Sequence, residues 1–346
     1  MEDAQQNVST PKETSPREWP GWLLPTLIFV VTAFAFFPTL HNGFVNWDDD
    51  KNIYENPNFR GLGWSHLRWM FTTFHLSNYR PLTWVTLGID YLLWGMNPFG
   101  YHLTSLILHA ANAILFYFLS YRLLDLAQSG PDTRREFPLR VAAGFSALIF
   151  AIHPLRVESV AWASARNDVV SALFYMWTIL YYLRAVAVPN GNRTRRWRMA
   201  VAVIIYGLSL LSKGIGLTLP VVLLVLDIYP LRRLGGSAAK WFGPEARRIW
   251  WEKVPFLLVA LAAGVTAVLA KQETAAIYAI ASYGLFPRFA QVMYGLTFYL
   301  WKSLLPLDLS PLYPLTLFAG PWDLRLLWAG VLVVTLSVGL FIARHR

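Results

Sequence analysis

Asp48, Asp49 and Asp50 form a run of carboxylates within Phe44-Val-Asn-Trp-Asp-Asp-Asp-Lys-Asn-Ile53, directly after the first long apolar stretch of the chain. Carboxylates at the edge of a hydrocarbon layer are costly unless water, a cation or hydrogen-bond donors compensate them. A run in that place is either an acidic cap on a helix end or a set of bases held at a membrane surface. Base chemistry asks for a carboxylate within reach of a hydroxyl proton, and an anionic leaving group asks for cations or donors beside it. Such companions occur downstream: Arg80 in Asn78-Tyr-Arg-Pro-Leu-Thr83, five charged or titratable residues (His153, Arg156, Glu158, Arg166 and Asp168) between positions 153 and 168, and Lys213.

Each companion also has a plainer reading. Arg80 can snorkel to headgroups instead of binding phosphate. Arg156 and Arg166 are expected to pair with Glu158 and Asp168, either as a structural network or so as to orient the arginines toward a donor phosphate. His109, on an apolar face, reads as a packed, hydrogen-bonded histidine. His153, next to Pro154, ends an apolar span, and Lys213 either marks an interface or meets phosphate. The acids could take magnesium or manganese, yet no pattern of His and Asp demands a metal, and none is assigned. With no cysteine in the chain, disulfides, thiol catalysis and thiolate metal sites are excluded.

The elements that must position these groups follow from composition. Of 346 residues, 55% are hydrophobic and 14% charged, and several apolar runs reach the roughly 17–25 residues of a membrane-crossing helix. The reading is an all-α, polytopic membrane protein. Its net charge of +10 lies in short clusters between apolar runs, so orientation by the basic-loop bias explains it better than nucleic acid, which is not expected as a partner. Residues 1–20 read as a disordered cytoplasmic tail and 21–346 as one membrane domain, whose first outer loop covers about 41–100. In that loop, Trp64, Leu67, Trp69, Met70 and Phe71 predict an amphipathic helix at the interface. Leu82 to Trp94, short and containing Asp90, predicts a juxtamembrane helix. Spans are expected at 21–40, 101–124, 141–152, 169–183, 197–211, 218–229, 254–270 and 322–342. The basic clusters at Arg134/Arg135, Arg193 to Arg198 and Arg232/Arg233 are then cytoplasmic and the acids outside, with Lys271 to Arg288 a polar outer stretch. Basic residues at Arg344 and Arg346 would put the terminus in the cytoplasm, so that 291–305 does not complete a crossing.

Taken in order, Phe44 to Ile53, Tyr79-Arg-Pro-Leu82, Asn97-Pro-Phe-Gly-Tyr-His-Leu103 with Leu108-His-Ala-Ala-Asn112, and His153 to Asp168 resemble the transmembrane and tetratricopeptide-repeat protein O-mannosyltransferases and their bacterial relatives. The resemblance covers roughly 21–346. It implies a C-type glycosyltransferase fold, a polyprenyl-phosphate sugar donor with mannose as the expected sugar, and inverting transfer to a hydroxyl of a protein or glycan on the non-cytoplasmic side. The first acid of the family's pair falls on Asp48, the expected base; Asp49 would support it or position a cation, and Asp168 would help to align the acceptor. Members usually continue into helical repeats, so a repeat-containing partner is a further expectation, beside the lipid donor and membrane lipid. A bacterial inner membrane is the expected location, with the endoplasmic reticulum the alternative.

Two other classes share the composition. Intramembrane charges also mark transporters and lipid flippases, but duplicated halves and paired broken helices, which many transporters show, are not seen in the sequence. A noncatalytic membrane scaffold is the third reading. Sugar transfer by purified protein, set against substrate counterflow in sealed vesicles, separates them.

Overall fold

The computed structural model describes residues 20–128, 136–235, 239–273, 284–313 and 322–343. The N-terminal tail up to residue 19, the Arg134/Arg135 cluster, the middle of the 271–288 stretch, Arg344 and Arg346 lie outside the described residues. Among the described residues every regular element is helical. Five stretches, Leu23–His41, Pro98–Ala127, Ala163–Val186, Pro244–Gln272 and Leu324–Ile342, are long and apolar enough to cross a membrane. The chain is an all-α, multi-pass membrane protein.

Local chemistry sets the helix ends. Helix α1 (Leu23–Phe36) runs through a tight 3-10 turn to His41. It is followed by α2 (Trp64–Thr72), which matches the amphipathic helix expected there, and α3 (Pro81–Trp94). Helix α4 (Pro98–Ala127) has proline in its first turn and Asn97 as its cap, whose side chain accepts the Phe99 N–H at 3.1 Å. Its 30 residues span about 45 Å. Then come α5 (Glu136–Ile152), the short α6 (Arg156–Ala161) and α7 (Arg166–Val186). Helix α8 (Arg193–Ser212) begins inside the basic cluster that the sequence reading placed in a loop, because Asn192 caps it through the Thr194 N–H at 2.8 Å. The chain continues through α9 (Leu219–Ile228), α10 (Ala239–Phe242), α11 (Pro244–Glu273), α12 (Leu285–Leu304) and α13 (Leu324–Ala343). Helix α12 is not one of the five crossing candidates.

Helix α4 packs against α1, α5 and α7, α7 against α8, and α11 against α8 and α9. Buried Ala143, Ala147 and Ala151 recur every fourth residue on α5 and meet Ile28, Ala113 and Tyr117. Small side chains at this spacing let helices close together where lipid offers no hydrophobic drive. A second core gathers Leu180, Leu183, Tyr206, Leu219, Leu223 and Phe256 from α7, α8, α9 and α11.

The first loop has a core of its own, with Ile53, Phe59, Met70, Trp84, Leu87 and Tyr101 all buried. Helix α3 approaches this loop so closely that a Cβ on Gly88 would lie 3.0 Å from the carbonyl oxygens of both Phe59 and Gly61. The helix is thus embedded: the Thr83 hydroxyl donates to the Ser212 carbonyl at the end of α8, 3.0 Å away.

At the opposite end of the bundle, clusters read as free loop charge are partly folded inward. Arg195 pairs with Glu252 at 2.7 Å, and Arg233 pairs with Glu252 at 2.5 Å and with Asp227 at 2.8 Å. Asp227 also meets Lys253 at 2.5 Å and accepts the Tyr182 hydroxyl proton. Both Asp227 and Lys253 are buried. This knot ties α7, α8, α9 and α11 together, since a charge left single there would be costly.

Candidate active site

The acidic run begins where the 3-10 turn after α1 ends. Asp48 has a left-handed backbone, φ 62°, and its side chain is exposed. Asp and Asn are among the few residues that adopt this conformation at modest cost. Asp49, one residue on, is 1% exposed. One oxygen of Asp49 accepts the backbone N–H of Ser164 at 2.9 Å and the Ser164 hydroxyl at 2.5 Å, while its other oxygen accepts the Val45 N–H at 3.0 Å. Burial raises the Asp49 carboxyl above its ordinary value, and these donors pull it partly back. Asp50 is half-buried and opens a single π turn, Asp50–Tyr54. The three acids therefore have three different surroundings.

A hydrogen-bonded chain extends from Asp49 to a cation. The Asn52 amide donates to the Ser164 hydroxyl at 3.1 Å, and Arg80 donates to the Asn52 carbonyl oxygen at 2.6 Å. Arg80 caps α3, is 8% exposed, and stacks over Trp84 at 4.8 Å. Burial lowers its guanidinium from the ordinary value, and the charge of Asp48 acts in the other direction. Arg80 is held within the loop. The loop is further pinned by the Trp162 indole, which donates to the Trp47 carbonyl at 3.0 Å.

Asp168 forms the second group. It pairs with Lys213 and accepts the Ser159 hydroxyl at 3.2 Å. Lys213 follows Ser212, the residue held by Thr83, so this pair lies next to the start of α3. Arg156 is half-buried, stacks on Phe150 at 4.8 Å, and has its guanidinium lowered by burial against the opposing influence of Asp168. Glu158 is exposed.

The expected pairing of Arg166 with Asp168 or Glu158 is not what the structure shows. Arg166, 0% exposed, pairs with Asp90 of α3 at 2.7 Å and donates to the Ser105 hydroxyl at 2.9 Å and the Tyr101 carbonyl at 2.5 Å. Asp90 in turn accepts the Thr104 hydroxyl at 2.7 Å. The reason is helical geometry: residues two apart point to different faces, so Arg166 turns into the bundle while Asp168 turns toward Lys213. The same spacing separates Arg156 from Glu158. Fully enclosed, Arg166 is a structural group joining α3, α4 and α7.

His153 accepts the Leu155 N–H on Nδ1 at 3.2 Å and donates from Nε2 to the Ser303 carbonyl at 3.0 Å, tying the end of α5 to α12. His109 bonds the Ala151 carbonyl at 2.8 Å and packs against Phe36 and Phe150. Among the described residues no group of three or more His, Cys, Asp or Glu side chains is placed to hold a metal ion. Both oxygens of Asp49 accept hydrogen bonds from protein donors.

Sequence reasoning missed Asn52, Ser164 and Asp90. Asn52 and Ser164 lie inside the quoted motifs but carry no charge. Asp90 did carry a signal, since a carboxylate in an apolar helix calls for a partner.

Neither a protein-family model nor a solved structure matches the chain. Among curated proteins, human "Protein O-mannosyl-transferase TMTC4" is 29% identical over 214 residues, 58% of this chain and 29% of the relative. Mouse "Protein O-mannosyl-transferase TMTC2" is 31% identical over 159 residues, covering 46% and 17%. "Protein O-mannosyl-transferase Tmtc3" of Drosophila melanogaster is 29% identical over 167 residues, covering 46% and 18%. The chain thus spans less than a third of the length of these relatives. Over about half of its own length the chain is thus similar in sequence to proteins named protein O-mannosyl-transferases.

Proposed function

We propose that the chain is a membrane glycosyltransferase of the C-type fold that moves a sugar from a polyprenyl-phosphate donor to a hydroxyl acceptor, with inversion, on the non-cytoplasmic side. The observation that carries this reading is the division of labour at the acidic run: Asp49 is bound into the fold while its neighbour Asp48 is exposed. Asp48 takes the acceptor's proton as the hydroxyl oxygen attacks the sugar carbon, and the bond from that carbon to the phosphate oxygen breaks. The phosphate leaves as an anion, for which Lys213 and Arg156 are the available cations and Arg80 the cation behind the loop. Asp168 orients Lys213, and Glu158 is left for the acceptor. The sugar is mannose and the acceptor a protein Ser or Thr by analogy with the relatives, which are named protein O-mannosyl-transferases, and a repeat-bearing partner would present that acceptor.

We place the chain in a bacterial inner membrane; the animal origin of the relatives supports the endoplasmic reticulum as the alternative. The test is transfer of radiolabelled mannose from a polyprenyl-phosphate donor by purified protein in detergent or nanodiscs. Labelled acceptor supports the proposal, whereas counterflow of substrate in sealed vesicles without transfer would replace it with transport.

A further inference from the structure

His75 lies on the turn that joins α2 to α3. Its Nε2 donates to the Lys51 carbonyl in the π turn that follows the acids, 3.2 Å away, and its half-buried ring meets the Trp69 and Trp84 indoles edge-on, at 5.8 and 5.4 Å between centroids. Trp84 also carries the Arg80 guanidinium, so an imidazole and a buried cation share one indole. The two grip neighbouring residues of the same π turn, His75 at Lys51 and Arg80 at Asn52, and Asn52 leads on through Ser164 to Asp49. The turn itself is strained: Leu76 and Ser77 both have left-handed backbones, φ 49° and 62°. Two such residues in succession persist only where their surroundings hold them.

The charged groups around His75 are Arg80 at the cap of α3, Asp50 and Lys51 in the π turn, Arg68 beside Trp69 on α2, and Lys271 of α11, a helix that packs against this turn. Lys51, Arg68 and Lys271 are exposed and screened by water, whereas Arg80 is buried. Burial and the Arg80 guanidinium hold the His75 imidazole below its ordinary value, against the pull of the Lys51 carbonyl. The closed turn therefore gains from a neutral His75, fully so above the ordinary histidine value of about 6.5, and loses that gain as pH falls below it.

We propose that His75 is a pH-sensitive latch on the acidic loop. Neutral, it holds the π turn at Lys51. When its Nδ1 takes a proton from solvent it becomes a second cation beside Arg80, the strained turn swings outward, and the π turn that carries Asp50 and Asn52 loosens. The latch is a property of the loop and stands apart from the glycosyltransferase reading.

Hydrogen exchange on the full chain in nanodiscs, at about pH 7.5 and about pH 5.5 and corrected for the intrinsic effect of pH, tests it. The reporters are the amides of Asn52 and Glu55, bonded to the Asp48 and Asp50 carbonyls at 2.7 and 2.8 Å, and that of Asn78, bonded to the His75 carbonyl at 3.1 Å. In wild type their exchange should quicken about threefold or more at the lower pH, while amides within α4 and α7 stay unchanged. His75→Gln keeps an N–H donor and takes no charge, so its reporters should exchange alike at both values. His66→Gln alters the other histidine of this loop, which bonds the Asn58 carbonyl at 2.9 Å, and should behave as wild type. Equal protection of wild type at both values, the same acid step in His75→Gln, or its loss in His66→Gln would each overturn the latch. Should His75→Gln fail to fold, His75→Asn takes its place with the same expected outcome.

Discussion

Ser164 donates two hydrogen bonds to a single oxygen of Asp49, from its backbone N–H and its hydroxyl, across 115 residues of sequence. The contact locks the loop after the first span to the turn that opens α7, and it fixes which of the neighbouring acids remains free. Ser164→Ala removes the hydroxyl bond and also the acceptor of the Asn52 amide. It should lower stability by about 1–3 kcal/mol. Asp49→Ala should cost more, because the Ser164 N–H and hydroxyl and the Val45 N–H all lose their acceptor. Thermal melting of the purified variants checks the order; a Ser164→Ala protein melting with the wild type would show the contact to be dispensable.

Asp49 also makes a prediction with pH. Its folded-state carboxyl is raised by burial, so the folded protein keeps this proton to a higher pH than the unfolded chain does. The group therefore favours folding at low pH, and that contribution is lost as pH climbs from the unfolded value, about 3.9, through the folded one. Asp49→Asn does not titrate, so its melting temperature should gain on that of the wild type as pH rises above about 4. The opposite trend would mean that the three donors outweigh burial.

The Asp90–Arg166 pair separates structural from ligand-binding arginines. Arg166→Met leaves a buried carboxylate single and should cost about 3–5 kcal/mol, whereas Asp90→Leu combined with Arg166→Met should recover most of it. Melting curves and expression levels measure this. A folded, monodisperse Arg166→Met protein that had lost donor affinity alone would contradict the enclosed position.

These cases show what was legible. The acidic loop could be read because charges at the end of an apolar span are conspicuous, and α2 because its apolar residues recur at helical spacing. Asp49–Ser164 could not, since nothing local in either segment points to the other. Arg166 was misread for a related reason: Asp168 is near in sequence, but two residues along a helix turn it to another face, and the true partner lies on α3. The start of α8 was displaced because Arg193 to Arg198 reads as loop charge, while Asn192 caps a helix there and Arg195 finds Glu252.

The chain's lack of cysteine makes its sidedness measurable. Val45 and Trp197 are exposed, at 49% and 67%, so Val45→Cys and Trp197→Cys should react with impermeant reagent from opposite sides of sealed vesicles. Labelling from the same side would break the proposed orientation.

The division between Asp48 and Asp49 is the central claim, and Asp48→Asn tests it most directly. Asparagine keeps the size of the side chain and tolerates the left-handed backbone at this position, so the loop should stay folded while the proton acceptor is lost. Transfer rate and donor affinity are measured on the same monodisperse preparation. Transfer should fall by about 100-fold or more with donor affinity little changed. Unchanged transfer by Asp48→Asn would contradict the account.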